Sequence, residues 1–197
     1  MFLIYSYMPN AEIEEICLKY NIGDFTINSD GTIDVDGSVH LDYYILTELP
    51  LKFNKVSGNF NCGETGLTTL DGSPKEVGGF FYCYKNKLTS LEGGPIKVSR
   101  GFDCSNNKLT SLKGSPKEIG GNFYCSNNKI TSLEFGPEVI KNGIYSVQNN
   151  YLYHTYGLKT KGYHYIYLNN NPISNVFINK HGFNEFDSRL VKYFNSS

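Results

Sequence analysis

A 21-residue repeat is the feature that most constrains how this 197-residue chain can fold. The phrase FYCSNNKITSL at 123–133 returns as FYCYKNKLTSL at 81–91 and FDCSNNKLTSL at 102–112, with a weaker copy, FNCGETGLTTL, at 60–70. Four columns share the period: Cys62, Cys83, Cys104 and Cys125; Leu67, Leu88, Leu109 and Ile130; Leu70, Leu91, Leu112 and Leu133; and Pro74, Pro95, Pro116 and Pro137. Copies this regular predict a solenoid, in which neighbouring coils supply the core that one coil cannot form alone.

The period continues when residue type is followed instead of identity. Upstream, Val39 and Leu41 precede Phe60 and Cys62 by one period. Downstream, one inserted residue shifts the frame, after which Tyr145, Val147, Asn150 and Leu152 fit, followed by Ile166, Leu168, Asn171 and Ile173. About seven coils therefore span 38–176. Leu41, Val147 and Leu168 occupy the cysteine position, which indicates a buried apolar site.

Each repeat contains a short stretch in which apolar and polar residues alternate, as in a strand buried on one face. Copies of this strand can stack in parallel, and seven strands at about 4.8 Å spacing give a face of roughly 30 Å. The return segment, such as SPKEVGG at 73–79, contains proline and glycine and is too short for a helix. The sequence predicts a mainly β solenoid with one parallel sheet of about seven short strands and extended or turn-like backbone on its convex side.

An asparagine follows five of the predicted strands, at Asn86, Asn107, Asn128, Asn150 and Asn171, and Thr65 is the poorer copy at the same position. An inward amide there can donate to and accept from backbone groups where the chain leaves the strand. The neighbouring Asn106 and Asn127 are expected to point outward and support a left-handed turn.

The spacing Phe-x-Cys-x-x-Asn-x-Leu resembles the core of the leucine-rich repeat. The unit is similar to the short bacterial class of these repeats, although its proline comes four residues after the last leucine and the unit is one residue longer. Over roughly 12–176 the chain resembles more closely the uncharacterised 21-residue-repeat proteins of large tailed bacteriophages. That resemblance implies a fold and a phage source, and it implies no particular activity.

Both ends of the repeat array are predicted to carry caps. An N-terminal cap over 1–37 would contain a helix at 10–20, with Asn10 as its N-cap, followed by two strands around the Ser29-Asp30-Gly31 turn. A helical cap over 177–197 is predicted from Phe183, Phe186, Leu190 and Phe194, which recur at helical spacing. The predicted domains are thus 1–37, 38–176 and 177–197.

The charge and composition of the chain argue against several kinds of partner and location. The net charge of −1 disfavours binding to nucleic acid or to an acidic membrane. No apolar run reaches the roughly 18–20 residues that span a bilayer, and MFLIYSY lacks the basic start of a secretory signal. We expect a cytoplasmic protein, in the host cytoplasm if it is phage-encoded. The five cysteines are expected to be reduced and buried, with no metal and no cofactor.

Aromatic residues are concentrated on the predicted outer face of the sheet, where a chain that only had to fold could use any polar residue. The candidate partner-binding residues are Phe80, Tyr82, Tyr84, Asp103, Tyr124, Tyr165 and Tyr167. Exposed aromatics among small polar residues are typical of interface hot spots, although tyrosine also suits an exposed strand. The favoured function is a non-catalytic protein–protein interaction module, and the phage resemblance implies a host bacterial protein as its partner.

Two further functions remain open. The tyrosine-rich stretch at 151–167 carries His154 and His164 and could form a small-molecule site for a nucleotide or metabolite, or it could be a degenerate last coil. A self-assembling structural component is the other alternative. An enzyme is the least supported reading, because no acid, base and nucleophile converge in the repeat. Asp30, Asp34 and Asp36 do not have the spacing of a calcium loop.

Overall fold

The computed structural model describes residues 8–173 and shows a β-solenoid of about six turns. Within these residues the elements are, in chain order, α1 (Asn10–Lys19), β1 (Phe25–Ile27), β2 (Ile33–Val35), β3 (Val39–His40), β4 (Phe53–Val56), β5 (Phe60–Asn61), β6 (Glu76–Val77), β7 (Phe81–Tyr82), β8 (Lys97–Val98), β9 (Phe102–Asp103), β10 (Glu118–Ile119), β11 (Phe123–Tyr124), β12 (Val139–Ile140), β13 (Ile144–Ser146) and β14 (Tyr165–Tyr167). No helix in this range is long and apolar enough to cross a membrane.

The predicted parallel sheet is present, and we call it the front sheet. Its seven strands lie in the order β3-β5-β7-β9-β11-β13-β14, and every neighbouring pair is parallel. The seven strands match the predicted number of about seven, and the described residues form about six turns. The predicted C-terminal cap lies outside the described residues.

A second sheet forms on the convex side, where extended or turn-like backbone was predicted. This return sheet has the order β1-β2-β4-β6-β8-β10-β12 and is parallel except for the β1–β2 hairpin. Its residues form strands because stacked coils offer backbone partners in register; for example, Glu76 lies opposite Lys97, and Lys97 lies opposite Glu118. The prediction of a single sheet was therefore incomplete.

The core is built from columns of identical residues. Phe81, Cys83, Leu88 and Leu91 are fully buried within one coil, and Val98 of the following strand is 1% exposed. The phenyl rings of Phe60, Phe81 and Phe102 stack at centroid distances of 5.3 and 5.1 Å with nearly parallel planes. Each coil therefore buries the apolar face of its neighbour, as the repeat predicts.

The asparagine column joins consecutive coils as predicted. The Asn86 Nδ2 atom donates to the Cys62 and Cys83 carbonyl oxygens at 2.8 and 3.1 Å, and its Oδ1 atom accepts from the Leu67 amide at 2.9 Å. The preceding position has a positive φ, 58° at Asn106 and 56° at Asn127, and both side chains point outward. Asparagine is among the residues that tolerate this conformation.

The N-terminal end contains the predicted helix and hairpin. Ile13 and Cys17 of α1 are buried against the core. Asn10 is the first helical residue and not the predicted N-cap, since Pro9 occupies the cap and no side chain caps the helix. Strand β2 pairs with β4, so the hairpin continues the return sheet.

Candidate interaction face

Three aromatic side chains from one coil cover part of the front sheet. The Phe80 and Tyr82 rings are stacked, with centroids 5.5 Å apart and planes at 7°, and Tyr84 meets Tyr82 edge-on at 6.2 Å. The Arg100 guanidinium lies 5.8 Å from the centre of the Phe80 ring. Phe80, Tyr82 and Tyr84 are half-buried, so they form a packed cluster on the surface. We call these three residues the aromatic cluster.

Glycines in the adjacent coils leave room for this cluster. A Cβ atom at Gly101 would lie 2.9 Å from the Phe80 ring, and one at Gly63 would lie 2.8 Å from the Tyr84 ring. The two rings therefore lie over the backbone of the coils on either side. Neither Gly63 nor Gly101 was predicted from the sequence to have this role. The pattern that could have indicated it is that each glycine lies one 21-residue repeat away from the aromatic residue whose ring covers it.

Asp103 and Tyr124 continue the face beyond the cluster. Asp103 lies in register between Tyr82 on one side and Tyr124 on the other. Its carboxylate accepts a hydrogen bond from the Ser105 amide at 2.9 Å, and the Tyr124 hydroxyl accepts one from Asn122 Nδ2 at 2.7 Å. Partial burial, followed by the charge of Asp103, raises the pKa of Tyr82. Tyr82 therefore remains a neutral hydrogen-bond donor at physiological pH.

Tyr165 and Tyr167 form a second group on the last strand of the sheet. Their rings stack with centroids 6.5 Å apart and planes at 15°, and Tyr165 is 53% exposed. Ser146 lies in register between Tyr124 and Tyr167, is buried, and shares a 2.8 Å hydrogen bond with Ser126. The seven predicted face residues thus belong to one sheet but form two groups separated by the Ser146 strand.

His154 and His164 lie in different parts of the last coil. His154 is on the turn after Leu152, where its Nδ1 atom accepts from the Tyr156 amide at 3.3 Å and its ring meets Tyr156 edge-on. His164 is at the corner before β14, where its amide donates to Gly143 and its ring meets Tyr165. The structure therefore assigns the two histidines to separate contacts with different tyrosines.

The cysteine column lies inside the solenoid. All five cysteines are free and buried. The Cys62 thiol donates to the Tyr82 carbonyl oxygen at 3.3 Å, and burial raises the pKa of Cys62, Cys83, Cys104 and Cys125 well above the ordinary value. Among residues 8–173, no group of three or more histidine, cysteine or acidic residues is arranged to hold a metal ion. Protonated thiols in such surroundings behave as small apolar side chains.

Two clefts lie near the N-terminal end, away from the aromatic cluster. One of 640 Å³ is lined by residues that include Asp30, Glu48, Leu51 and Asp71. The other, of 230 Å³, lies between Tyr20, His40 and the pair Tyr43–Tyr44. Neither cleft includes a residue that the sequence singled out for partner or ligand binding.

The fold defines this chain as a parallel β-solenoid repeat protein. Comparison of the chain with protein-family models, with curated proteins and with solved structures gave no match.

Proposed function

We propose that this protein is a non-catalytic interaction module that binds a protein partner through the outer face of the front sheet. The observation that carries the proposal is the aromatic cluster with Asp103 and Tyr124 beside it. The rings of the cluster are held by contacts with each other, and Tyr124 is held by its hydrogen bond from Asn122, so the surface is ordered before a partner arrives. Preorganised aromatic side chains bind with a small loss of conformational freedom.

The outer face of the return sheet carries charged residues instead of an aromatic cluster, and this difference favours the front sheet as the binding face. Its in-register residues alternate in charge from Asp34 through Lys55, Glu76 and Lys97 to Glu118. Opposite charges on neighbouring strands stabilise a sheet and neutralise each other. Strand pairing therefore explains the charged residues of the return sheet. The aromatic face of the front sheet contains more apolar surface than strand pairing needs.

The partner class rests on the resemblance of the repeat to leucine-rich repeats and to repeat proteins of tailed bacteriophages. We propose a phage protein that acts in the bacterial cytoplasm and binds or inhibits a host protein. The five free, buried cysteines are compatible with a reducing compartment. We propose no catalytic activity for this protein.

The test is affinity capture from a bacterial lysate followed by binding measurements with the purified protein that is retained. The variant Tyr82→Ser/Tyr84→Ser/Tyr124→Ser removes the face. The matched control Tyr151→Ser/Tyr153→Ser/Tyr156→Ser removes three tyrosines that are 52%, 71% and 66% exposed and lie outside the front sheet. Both variants must keep cooperative thermal unfolding before binding is compared.

We expect the purified partner to bind the wild type and the control equally and to bind the face variant at least about tenfold more weakly. Equal binding by the two variants would exclude the front face. Stabilisation by a metabolite that requires His154 or His164 would favour the small-molecule alternative. A discrete oligomer of the pure protein, disrupted by the face variant, would favour self-assembly.

A further inference from the structure

From β7 to β14, one column of the front sheet carries a tyrosine on every second strand. Tyr82 lies opposite Asp103, Asp103 lies opposite Tyr124, Tyr124 lies opposite Ser146, and Ser146 lies opposite Tyr167. We call Tyr82, Tyr124 and Tyr167 the tyrosine column. Because neighbouring strands are about 4.8 Å apart, successive tyrosines are about 9.6 Å apart along the solenoid axis.

Each tyrosine of the column contacts the residue two positions before it in the chain. Tyr82 stacks on Phe80, and Tyr167 stacks on Tyr165. Tyr124 instead accepts the hydrogen bond from Asn122. Two ring stacks and one hydrogen bond therefore orient the three tyrosine rings. The smaller side chains of Asp103 and Ser146 lie between them.

We propose that the occupant of this column is a proline-rich segment in the polyproline II conformation, running along the solenoid axis; this inference rests on the proposed function and specifies its partner. A polyproline II helix has three residues per turn and rises about 3.1 Å per residue, so one side repeats every ~9.3 Å. Prolines three residues apart would then meet Tyr82, Tyr124 and Tyr167 in turn. Aromatic-lined surfaces are a known means of binding such segments.

The chemistry of the column suits this ligand. The backbone carbonyls of a polyproline II segment make no internal hydrogen bonds. A tyrosine supplies both a flat apolar ring for the proline and a hydroxyl that can donate to a carbonyl. The Tyr124 hydroxyl accepts from Asn122 and so keeps its own hydrogen for donation.

Other peptide conformations match the spacing less well. In an extended strand, residues three apart span about 9.9 Å but point to opposite faces, so they cannot all reach one column. In an α-helix, one face repeats after seven residues, or about 10.5 Å, and the mismatch grows to roughly 1.8 Å over two intervals. For polyproline II the mismatch over the same two intervals is only about 0.6 Å.

Asp103 adds a charge requirement. Among the salt bridges of the described residues, none involves Asp103, although its carboxylate lies between Tyr82 and Tyr124. An arginine or lysine between the first two anchoring prolines would therefore meet a carboxylate that accepts a hydrogen bond from the Ser105 amide and has no salt-bridge partner among the described residues. The recognised segment is thus a basic, proline-rich one.

The test uses fluorescent peptides about nine residues long, which is three turns of polyproline II. One peptide is all proline, a set carries a single arginine at each position in turn, and a glycine-serine peptide with one arginine serves as the ligand control. Fluorescence anisotropy is measured with the wild type and with Tyr124→Ser, Tyr124→Phe, Asp103→Asn and Tyr153→Ser. The last variant matches Tyr124→Ser chemically and changes a tyrosine outside the column, and thermal unfolding confirms the fold of all four.

We expect the proline peptides to bind and the glycine-serine peptide not to bind. Tyr124→Ser should weaken binding about tenfold, while Tyr124→Phe keeps most of the affinity and Tyr153→Ser keeps all of it. Asp103→Asn should abolish the advantage of the best arginine peptide over all-proline.

Several results would overturn the proposal. Proline peptides that bind no better than the control exclude a polyproline II ligand, but a captured partner that still depends on Tyr82, Tyr84 and Tyr124 would leave the interaction module intact. If neither peptides nor any captured protein depends on these tyrosines, both proposals fail. If the same tyrosines bind soluble β-linked glucan oligosaccharides and no peptide binds, the polyproline II ligand and the protein-binding function are both wrong.

Discussion

The Nδ2 atom of Asn128 donates to the carbonyl oxygen of Cys104, one coil earlier, at 3.2 Å. The same nitrogen donates to the Cys125 carbonyl at 3.0 Å, and Oδ1 accepts from the Leu109 amide at 3.0 Å. One buried side chain therefore satisfies backbone groups of two coils at the turn that follows the strand. Asn86 and Asn107 make the same contact with the preceding coil, through the carbonyl oxygens of Cys62 and Cys83.

Asn128→Ala should lower the free energy of unfolding by about 3–5 kcal/mol, because it leaves several buried backbone groups without partners at about 1–3 kcal/mol each. The matched control is Asn127→Gly, one residue earlier, which should be nearly neutral because the side chain points outward and φ is 56°. Urea unfolding of both variants measures the difference. Similar losses in the two would show that the buried amide is not important for stability.

Gly120→Ala should destabilise the protein strongly. A Cβ atom at Gly120 would overlap the Ser99 carbonyl oxygen, whereas one at Gly121 would lie 3.3 Å from the nearest atom, the Arg100 carbonyl oxygen. The backbone cannot easily move away, because the Gly120 amide donates to Val98 at 2.9 Å. We expect a loss of about 3 kcal/mol for Gly120→Ala and at most about 1 kcal/mol for Gly121→Ala. Equal melting temperatures for the two variants would contradict this account of the corner between the sheets.

Tyr145→Phe should stabilise the solenoid. Tyr145 continues the phenylalanine column, with its ring 5.2 Å from that of Phe123, and its buried hydroxyl has no hydrogen-bond partner among the described residues. Removing an unpaired buried hydroxyl should raise the free energy of unfolding by about 1–2 kcal/mol. Chemical denaturation tests this directly, and a destabilised variant would indicate that the hydroxyl has a partner.

Stability should fall as the pH rises above about 9, and the cysteine column is the main cause. Burial raises the pKa of Cys62, Cys83, Cys104 and Cys125 above the ordinary value of 9.0, so these thiols stay protonated in the folded state while they ionise in the unfolded state. The unfolded state then binds fewer protons, and each thiol removes up to about 1.4 kcal/mol of stability per pH unit. Below the unfolded pKa this dependence disappears.

The double variant Cys83→Val/Cys104→Val tests the alkaline effect. Valine occupies the same position at Val147, where it is fully buried, so we expect the fold to be retained at neutral pH. The decline in urea midpoint above about pH 9 should be clearly smaller, because two of the five thiols with a raised pKa no longer titrate. An unchanged decline would assign the effect to other groups.

The front sheet was predicted correctly from the sequence, because the residues of its strands repeat with strict spacing. The position of the asparagines predicted their hydrogen bonds for the same reason, since a polar side chain repeated inside an apolar column must satisfy buried backbone groups. The helix and hairpin at the N-terminal end were also predicted, whereas Asn10 as N-cap was wrong because Pro9 fills that position.

The return sheet and the arrangement of the face were not predictable in the same way. Two-residue strands such as Glu76–Val77 are too short to show a periodic pattern, and they form only because adjacent coils supply partners. The repeat frame places Tyr82, Tyr124 and Tyr167 at one position, and the register confirms that they share one column. Only the structure shows that Tyr82 stacks on Phe80 and that Tyr167 stacks on Tyr165.

The sequence by itself determined that this protein is a solenoid, because a 21-residue period of apolar residues can bury its core only by stacking. The tertiary structure decided which outward residues meet, since stacking places residues of separate coils about 4.8 Å apart and gives Tyr84 its place over Gly63 and Phe80 its place over Gly101. Periodicity specifies what lies inside each coil, whereas contacts across the surface depend on the register and rotamers of neighbouring coils.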